Sequence, residues 1–139
     1  MKIAIVVSQF NKDICDRLED GARKALEENG VQLEVFKVPG AFEIPYMCQK
    51  IIDAKKFSGI VALGCVLRGE TDHYKAVCDG VTYGLQKVSI ENKFPVMFGV
   101  LMCETRKDAA ARSSKNQKDN KGYECAKELL SLGHTEKVL

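Results

Sequence analysis

Ile60-Val61-Ala62-Leu63-Gly64-Cys65-Val66-Leu67 is a run of apolar and small residues without a charge, closed by Arg68-Gly69-Glu70. A run this short is too brief for a membrane span and reads as a strand. It does not alternate with polar residues, so both of its faces are covered, as in a parallel sheet with helices on either side. Working outward, Ile3-Ala4-Ile5-Val6-Val7 near the start and Val96-Met97-Phe98-Gly99-Val100-Leu101 towards the end have the same character. The runs extend over Lys2–Ser8 and Pro95–Cys103. Between them, Val31-Gln32-Leu33-Glu34-Val35-Phe36-Lys37-Val38 alternates, which predicts a strand at a sheet edge.

Helical spacing fills the intervals. Ile14, Leu18, Ala22, Ala25 and Leu26 share a face, and Asn29-Gly30 supplies a stop. Ile44, Met47, Ile51 and Ile52 mark a second helix, with Pro45 in its first turn. Tyr74, Val77, Val81, Leu85 and Val88 mark a third. Thr105 to Arg112 and Asn120 to Leu132 predict two more, with Gly133 as the C-terminal cap. Strands alternating with helices demand crossover connections. The order predicts an α/β fold, a three-layer αβα sandwich around a four-stranded parallel sheet, formed as one domain over residues 1–139.

Composition narrows the classes of function. Among 139 residues, 21 Lys and Arg stand against 19 Asp and Glu, and a net charge of +2 argues against a dedicated nucleic-acid binder. No apolar run reaches the roughly 18 residues that a membrane span requires. The apolar start is short, runs into Ser8-Gln9 and lacks a cleavage pattern, so it reads as a strand rather than a signal peptide. The six cysteines, at 15, 48, 65, 78, 103 and 125, form no Cys-x-x-Cys pair. They read as reduced packing residues with no metal site, in a cytoplasmic protein.

In open parallel sheets, ligands bind beyond the carboxyl ends of the strands. Those ends lead here into Gln9-Phe10-Asn11, Pro39-Gly40-Ala41-Phe42-Glu43, Arg68-Gly69-Glu70-Thr71-Asp72-His73 and Cys103-Glu104-Thr105. Phe10 is either a staple onto the following helix or a platform for a planar heterocycle. Gly69-Glu70-Thr71 precedes a helix, so it is either a capped turn or an anion cradle of free N–H groups. His73 is a first-turn surface residue or a proton carrier with a pKa suited to neutral pH. Arg106 to Lys121 holds six basic residues against Asp108 and Asp119. That run is a solvated face, or it brings cations to an anionic substrate, with Arg112 the best candidate for a bidentate phosphate clamp. Neither a Walker pattern nor G-x-G-x-x-G occurs, and no Gly-x-Ser-x-Gly elbow is present.

Taken together these stretches resemble the lumazine synthase family. The matching segments are Phe10-Asn11, Pro39-Gly40-Ala41-Phe42-Glu43-Ile44-Pro45, Ala62 through Tyr74, Pro95 through Leu101, Arg112, and Asn120-Lys121-Gly122, in the family's order and over nearly the whole chain. The resemblance implies a flavodoxin-like sandwich and a transferase of riboflavin biosynthesis that uses no cofactor. Its substrates would be 5-amino-6-(D-ribitylamino)pyrimidinedione and 3,4-dihydroxy-2-butanone 4-phosphate, and its products 6,7-dimethyl-8-ribityllumazine and phosphate. In the family's pattern Phe10 stacks on the pyrimidine, while Ala41, Phe42, Glu43, Cys65, Val66 and Leu67 hold its ring and ribityl chain. Glu70 and Thr71 receive the phosphate, Arg112 clamps it and His73 transfers protons. Phe98 and Arg112 would come from a neighbouring subunit, so the resemblance also implies a homo-oligomer, with riboflavin synthase as a candidate partner. The start directly at the first strand, and a Ser113–Asp119 loop that lacks glycines and is one residue longer, favour a pentamer or a pair of pentamers over a sixty-subunit shell. The same loop leaves the alignment of Lys121 open.

Overall fold

The computed structural model describes residues 1–139. Its elements run β1 (Lys2–Ser8), α1 (Lys12–Glu28), β2 (Gln32–Val38), a 3-10 turn (Ala41–Glu43), α2 (Ile44–Asp53) and β3 (Gly59–Leu67). They continue with α3 (His73–Asn92), β4 (Val96–Cys103), α4 (Arg106–Ala111), a second 3-10 turn (Gln117–Asp119) and α5 (Lys121–Glu136). The four strands form one sheet in the order β2-β1-β3-β4, and every pairing is parallel.

Strand pleating divides the core into two layers. Ile3, Ile5, Val7, Val61, Leu63 and Leu101 meet Ile14, Leu18, Ala22 and Leu26 of α1 and Cys125, Ala126 and Leu129 of α5. On the other face Ala4, Val6, Ile60, Ala62 and Val100 meet Ile44, Cys48 and Ile51 of α2 and Val81 and Leu85 of α3. Neighbours along a strand therefore serve opposite layers, which is why β1 and β3 have no polar alternate. All six cysteines are buried and free.

The ends of elements follow local chemistry. Gly30 ends α1 with φ 66°, a left-handed conformation that glycine adopts without a Cβ clash. Pro45 sits in the first turn of α2, where its missing N–H costs no helical bond. Gly133 does not cap α5. The helix passes through it to Glu136, and a Cβ at Gly133 would meet only open space. Glycine lowers helix stability by about 1 kcal/mol, but it does not by itself end a helix that lacks a left-handed turn or proline beyond it.

β2 lies at one edge, as its alternation predicts, and β4 lies at the other. The continuous run of β4 reads as a covered strand, yet Phe98 is 41% exposed. An apolar run reports which residues avoid water, not whether a strand has a neighbour on each side. β1 and β3 stand side by side in the middle. From β1 the chain departs through α1 on one face, and from β3 it departs through α3 on the other. That divergence opens a crevice at the carboxyl ends of the two central strands.

Candidate active site

The crevice is a cleft of about 590 Å³ lined by the loops that leave β1, β2 and β3. From the first loop come Phe10 and Asn11, and from the second Gly40, Ala41, Phe42 and Glu43. The end of β3 contributes Cys65, Val66 and Leu67. The loop beyond it and the start of α3 contribute Gly69, Thr71, His73 and Tyr74, with Ala76 and Val77 behind them. The ring platform and the anion loop expected from sequence therefore share one cavity.

Phe10 is 68% exposed although its backbone is held firmly. Its N–H donates to Ser8 Oγ at 3.1 Å, and its carbonyl accepts from Cys15 Sγ at 3.2 Å. A staple would bury the ring on α1; this ring stands in the cleft mouth. Asn11 follows with φ 54° and ψ 53°, a left-handed geometry that asparagine tolerates better than most residues. Its carbonyl caps α1 by accepting from the N–H groups of Ile14 and Cys15, each at 3.1 Å. Its side-chain Nδ2 donates to the Cys65 carbonyl at 2.8 Å, tying the first loop to the exit of β3.

The second loop forms the 3-10 turn over Ala41–Glu43. Ala41 is buried beneath it, and Phe42 is 58% exposed. Phe42 can lie close to α3 because residue 80 is glycine, where a Cβ would overlap the Phe42 ring. The Glu43 carboxylate stays near Gly40 and faces the cleft without a hydrogen-bond partner in the chain.

The third loop carries Gly69-Glu70-Thr71, the candidate anion cradle. His73 opens α3, and its N–H donates to Thr71 Oγ1 at 3.3 Å. Asp72 occupies the cap position but makes no side-chain capping bond. The N–H groups of Tyr74 and Lys75 thus find no partner in the chain, at the positive end of a 20-residue helix whose first residues line the cleft. Glu70 sits between Gly69 and Thr71 but does not line the cavity. Arg68 anchors the loop: its N–H donates to the Cys103 carbonyl at 3.0 Å, and its guanidinium pairs with Glu104 at 2.8 Å. The same guanidinium lies over the Tyr74 ring, 4.5 Å from its centre.

Burial pushes the Cys65 thiol up to about 11 and that of Cys15 to about 12. Cys65 therefore lines the cleft as a neutral, apolar group rather than as a nucleophile. No three or more His, Cys, Asp or Glu side chains gather to hold a metal ion, and no helix is long and apolar enough to cross a membrane.

Besides Glu70, two more of the residues singled out from sequence lie outside the cleft. Phe98 is on the edge strand β4, outside the cleft. Arg112 ends α4 and lines a separate charged cavity of about 650 Å³ with Glu104, Asp108, Lys118, Lys121 and Glu124. One of its Nη atoms donates to the Asp108 carbonyl at 3.0 Å. Sequence reading of single residues passed over Tyr74 as a cleft residue, since its helical spacing marks it as core. It also passed over the links made by Arg68 and Arg106, whose partners are remote in sequence.

The profile of 6,7-dimethyl-8-ribityllumazine synthase matches residues 1–137. The chain belongs to this family. The chain is similar to 6,7-dimethyl-8-ribityllumazine synthase of Pediococcus pentosaceus, at 46% identity over all of this chain and 90% of that one. The enzyme of the same name from Lactiplantibacillus plantarum is 44% identical over all of this chain and 89% of its own. That of Coxiella burnetii is 42% identical over 94% of this chain and 88% of its own. Family membership thus rests on the whole sandwich and not on the cleft motifs alone.

Proposed function

We propose that this cleft condenses 5-amino-6-(D-ribitylamino)pyrimidinedione with 3,4-dihydroxy-2-butanone 4-phosphate, giving 6,7-dimethyl-8-ribityllumazine, phosphate and water. The observation that carries the reading is the joint position of an exposed aromatic ring, a histidine and a helix N-terminus in one cleft of a member of this family. Phe10 stacks on the pyrimidine. The Ala41-Phe42-Glu43 turn and Cys65-Val66-Leu67 hold the ring edge and the ribityl chain, the strand end through backbone groups and Glu43 by accepting from hydroxyls.

The chemistry asks for positioning and proton movement. The pyrimidine amine attacks the ketone carbon, and water leaves as the Schiff base forms. A proton is then removed next to the imine, and the phosphate departs with the carbon–oxygen bonding pair. The elimination leaves an enol, which takes up a proton at the carbon that lost phosphate and becomes a new carbonyl with a methyl group. The second amine closes the ring on that carbonyl, and a second water is lost. His73, beside the anion loop, accepts and returns protons in these steps. Holding both substrates in one cleft supplies the larger part of the acceleration. The Gly69-Glu70-Thr71 loop receives the phosphate with N–H groups of the first turn of α3.

The clamp on that phosphate is Arg112 of a neighbouring copy, and Phe98 of the same neighbour closes the ring site. The exposure of Phe98 on the uncovered edge of β4 and the position of Arg112 outside its own cleft support this reading. The working form is then a homopentamer or a pair of pentamers in the cytoplasm, with riboflavin synthase as a partner for its product. Purified protein mixed with both substrates should develop lumazine fluorescence and release phosphate stoichiometrically. Binding of the pyrimidine without turnover would instead identify a carrier. Mass in solution tests the assembly, and specific activity should fall when dilution separates the subunits.

A further inference from the structure

Arg106 belongs to the basic run that reads as a solvated face, yet both of its Nη atoms are engaged. One Nη donates to both carboxylate oxygens of Asp13, at 2.8 and 2.9 Å. The other Nη donates to Asn11 Oδ1 at 3.1 Å. Asn11 in turn spends its Nδ2 on the Cys65 carbonyl at 2.8 Å. The amide is thus gripped at both ends, oxygen towards a cation and nitrogen towards a carbonyl. Rotation about the last torsion of asparagine is broad and roughly two-fold when nothing holds it. Here each end has a partner that the other end cannot serve, so a single orientation survives.

What the amide joins matters more than its own energy. On one side is the left-handed residue next to Phe10, and on the other the carbonyl of the strand end that floors the cleft. The third element, α4, begins at Arg106 and is otherwise tied to this loop by no other side-chain hydrogen bond. We infer that Arg106 is a positioning residue: it fixes the Asn11 amide, and through it the spacing between the Phe10 platform and the end of β3. It does not touch the ligand. The substrate it serves is the planar ring compound, not the phosphorylated ketone, because the links it makes end at the platform and the strand and not at the Gly69–Thr71 loop. This rests on the proposed stacking of a pyrimidine on Phe10.

Lysine separates this role from a plain ion pair. Arg106→Lys keeps a cation for Asp13, but a single ammonium cannot supply the fork that reaches Asp13 and Asn11 together. Both groups are more than half exposed, so neither Arg106→Lys nor Arg106→Ala should unfold the chain. The experiment is calorimetric titration of each protein with the ribitylamino-pyrimidinedione alone, followed by KM for the ketone and by thermal melting. Expected is a loss of about tenfold in pyrimidine affinity in both variants, the size of a hydrogen bond to a charged group. The ketone KM should stay within about twofold of the parent value, with an unchanged Tm, as expected for an exposed substitution. Full rescue by Arg106→Lys would overturn the inference, as would equal losses for both substrates or losses that track a falling Tm. If the unaltered protein itself fails to bind the pyrimidine, it is the stacking reading that fails, before Arg106 is reached.

Discussion

Phe10→Ala separates binding from stability more cleanly than any other change in this chain. The ring is 68% exposed, so its removal leaves no cavity in the core. Its loop is held by backbone groups, through Ser8 Oγ, Cys15 Sγ and the Asn11 cap, and none of these bonds uses the Phe10 side chain. Surface changes of this kind alter stability by at most about 0.5 kcal/mol. Stacking of a heterocyclic base on an aromatic side chain contributes about 1–3 kcal/mol, which corresponds to roughly five- to 150-fold in affinity. Calorimetric titration with the pyrimidine should therefore show a loss in that range, while denaturant melts of the two proteins superimpose. Restoring an aromatic by Phe10→Tyr or Phe10→Trp should recover most of the affinity, and Phe10→Leu should recover less. An unaltered Kd for Phe10→Ala would refute the platform. A destabilised Phe10→Ala protein would show instead that the ring packs as a staple.

His73→Ala should lower kcat about 10²-fold, a usual effect for a lost acid–base group, with pyrimidine affinity retained; a kcat equal to that of the parent would remove His73 from the chemistry. Arg112→Ala should raise KM for the phosphorylated ketone by about ten- to 150-fold, the size of a lost charge-assisted hydrogen bond, and that for the pyrimidine far less. Equal increases would refute the clamp. Burial pushes the thiols of Cys15, Cys48 and Cys125 up to about 12, against an ordinary value of 9.0. Their contribution to stability is therefore complete below pH 9 and is lost as the pH rises towards 12, because the unfolded chain then releases protons that the folded chain retains. Native protein at pH 8 should react with iodoacetamide slowly at these three positions, and denaturation should make them react at once. Rapid native labelling, read by mass spectrometry, would contradict the burial.

Much of the fold is legible because burial writes itself into periodicity. Ile3–Val7 of β1 and the whole of β3 lack polar residues since each face meets a helical layer, and β2 alternates since it is an edge with one wet side. The three cleft loops are legible for a related reason: Phe10, Phe42 and His73 are residues that an ordinary loop or helix start has little cause to keep, and they fall at the same end of parallel strands. What escapes is whatever depends on partners distant in sequence. The edge position of β4 escapes because its apolar residues record avoidance of water, not the absence of a neighbouring strand. The grip of Arg106 on Asn11 escapes because it joins residues 95 positions apart. Gly133 misleads for a simpler reason, that glycine permits a helix end without requiring one.

On the proposed reading, the arginines explain why one chain alone does not complete the site. Arg68 pairs with Glu104 and lies on Tyr74; Arg106 is bound by Asp13 and Asn11; Arg112 faces its own separate cavity. None of the three is free to meet a phosphate at Gly69–Thr71. On the proposed reading a phosphate would depart from a cleft that Glu43 lines, beside a loop that itself carries Glu70. On that reading the clamp comes from an adjacent copy, and a guanidinium suits it because it stays charged through proton transfers, as a histidine does not. Arg112, on a short helix beside the uncovered edge strand, meets both conditions for an adjacent copy. On this reading the exposed edge of β4 is part of the catalytic apparatus, because the subunit contact it invites delivers the one charge the cleft lacks.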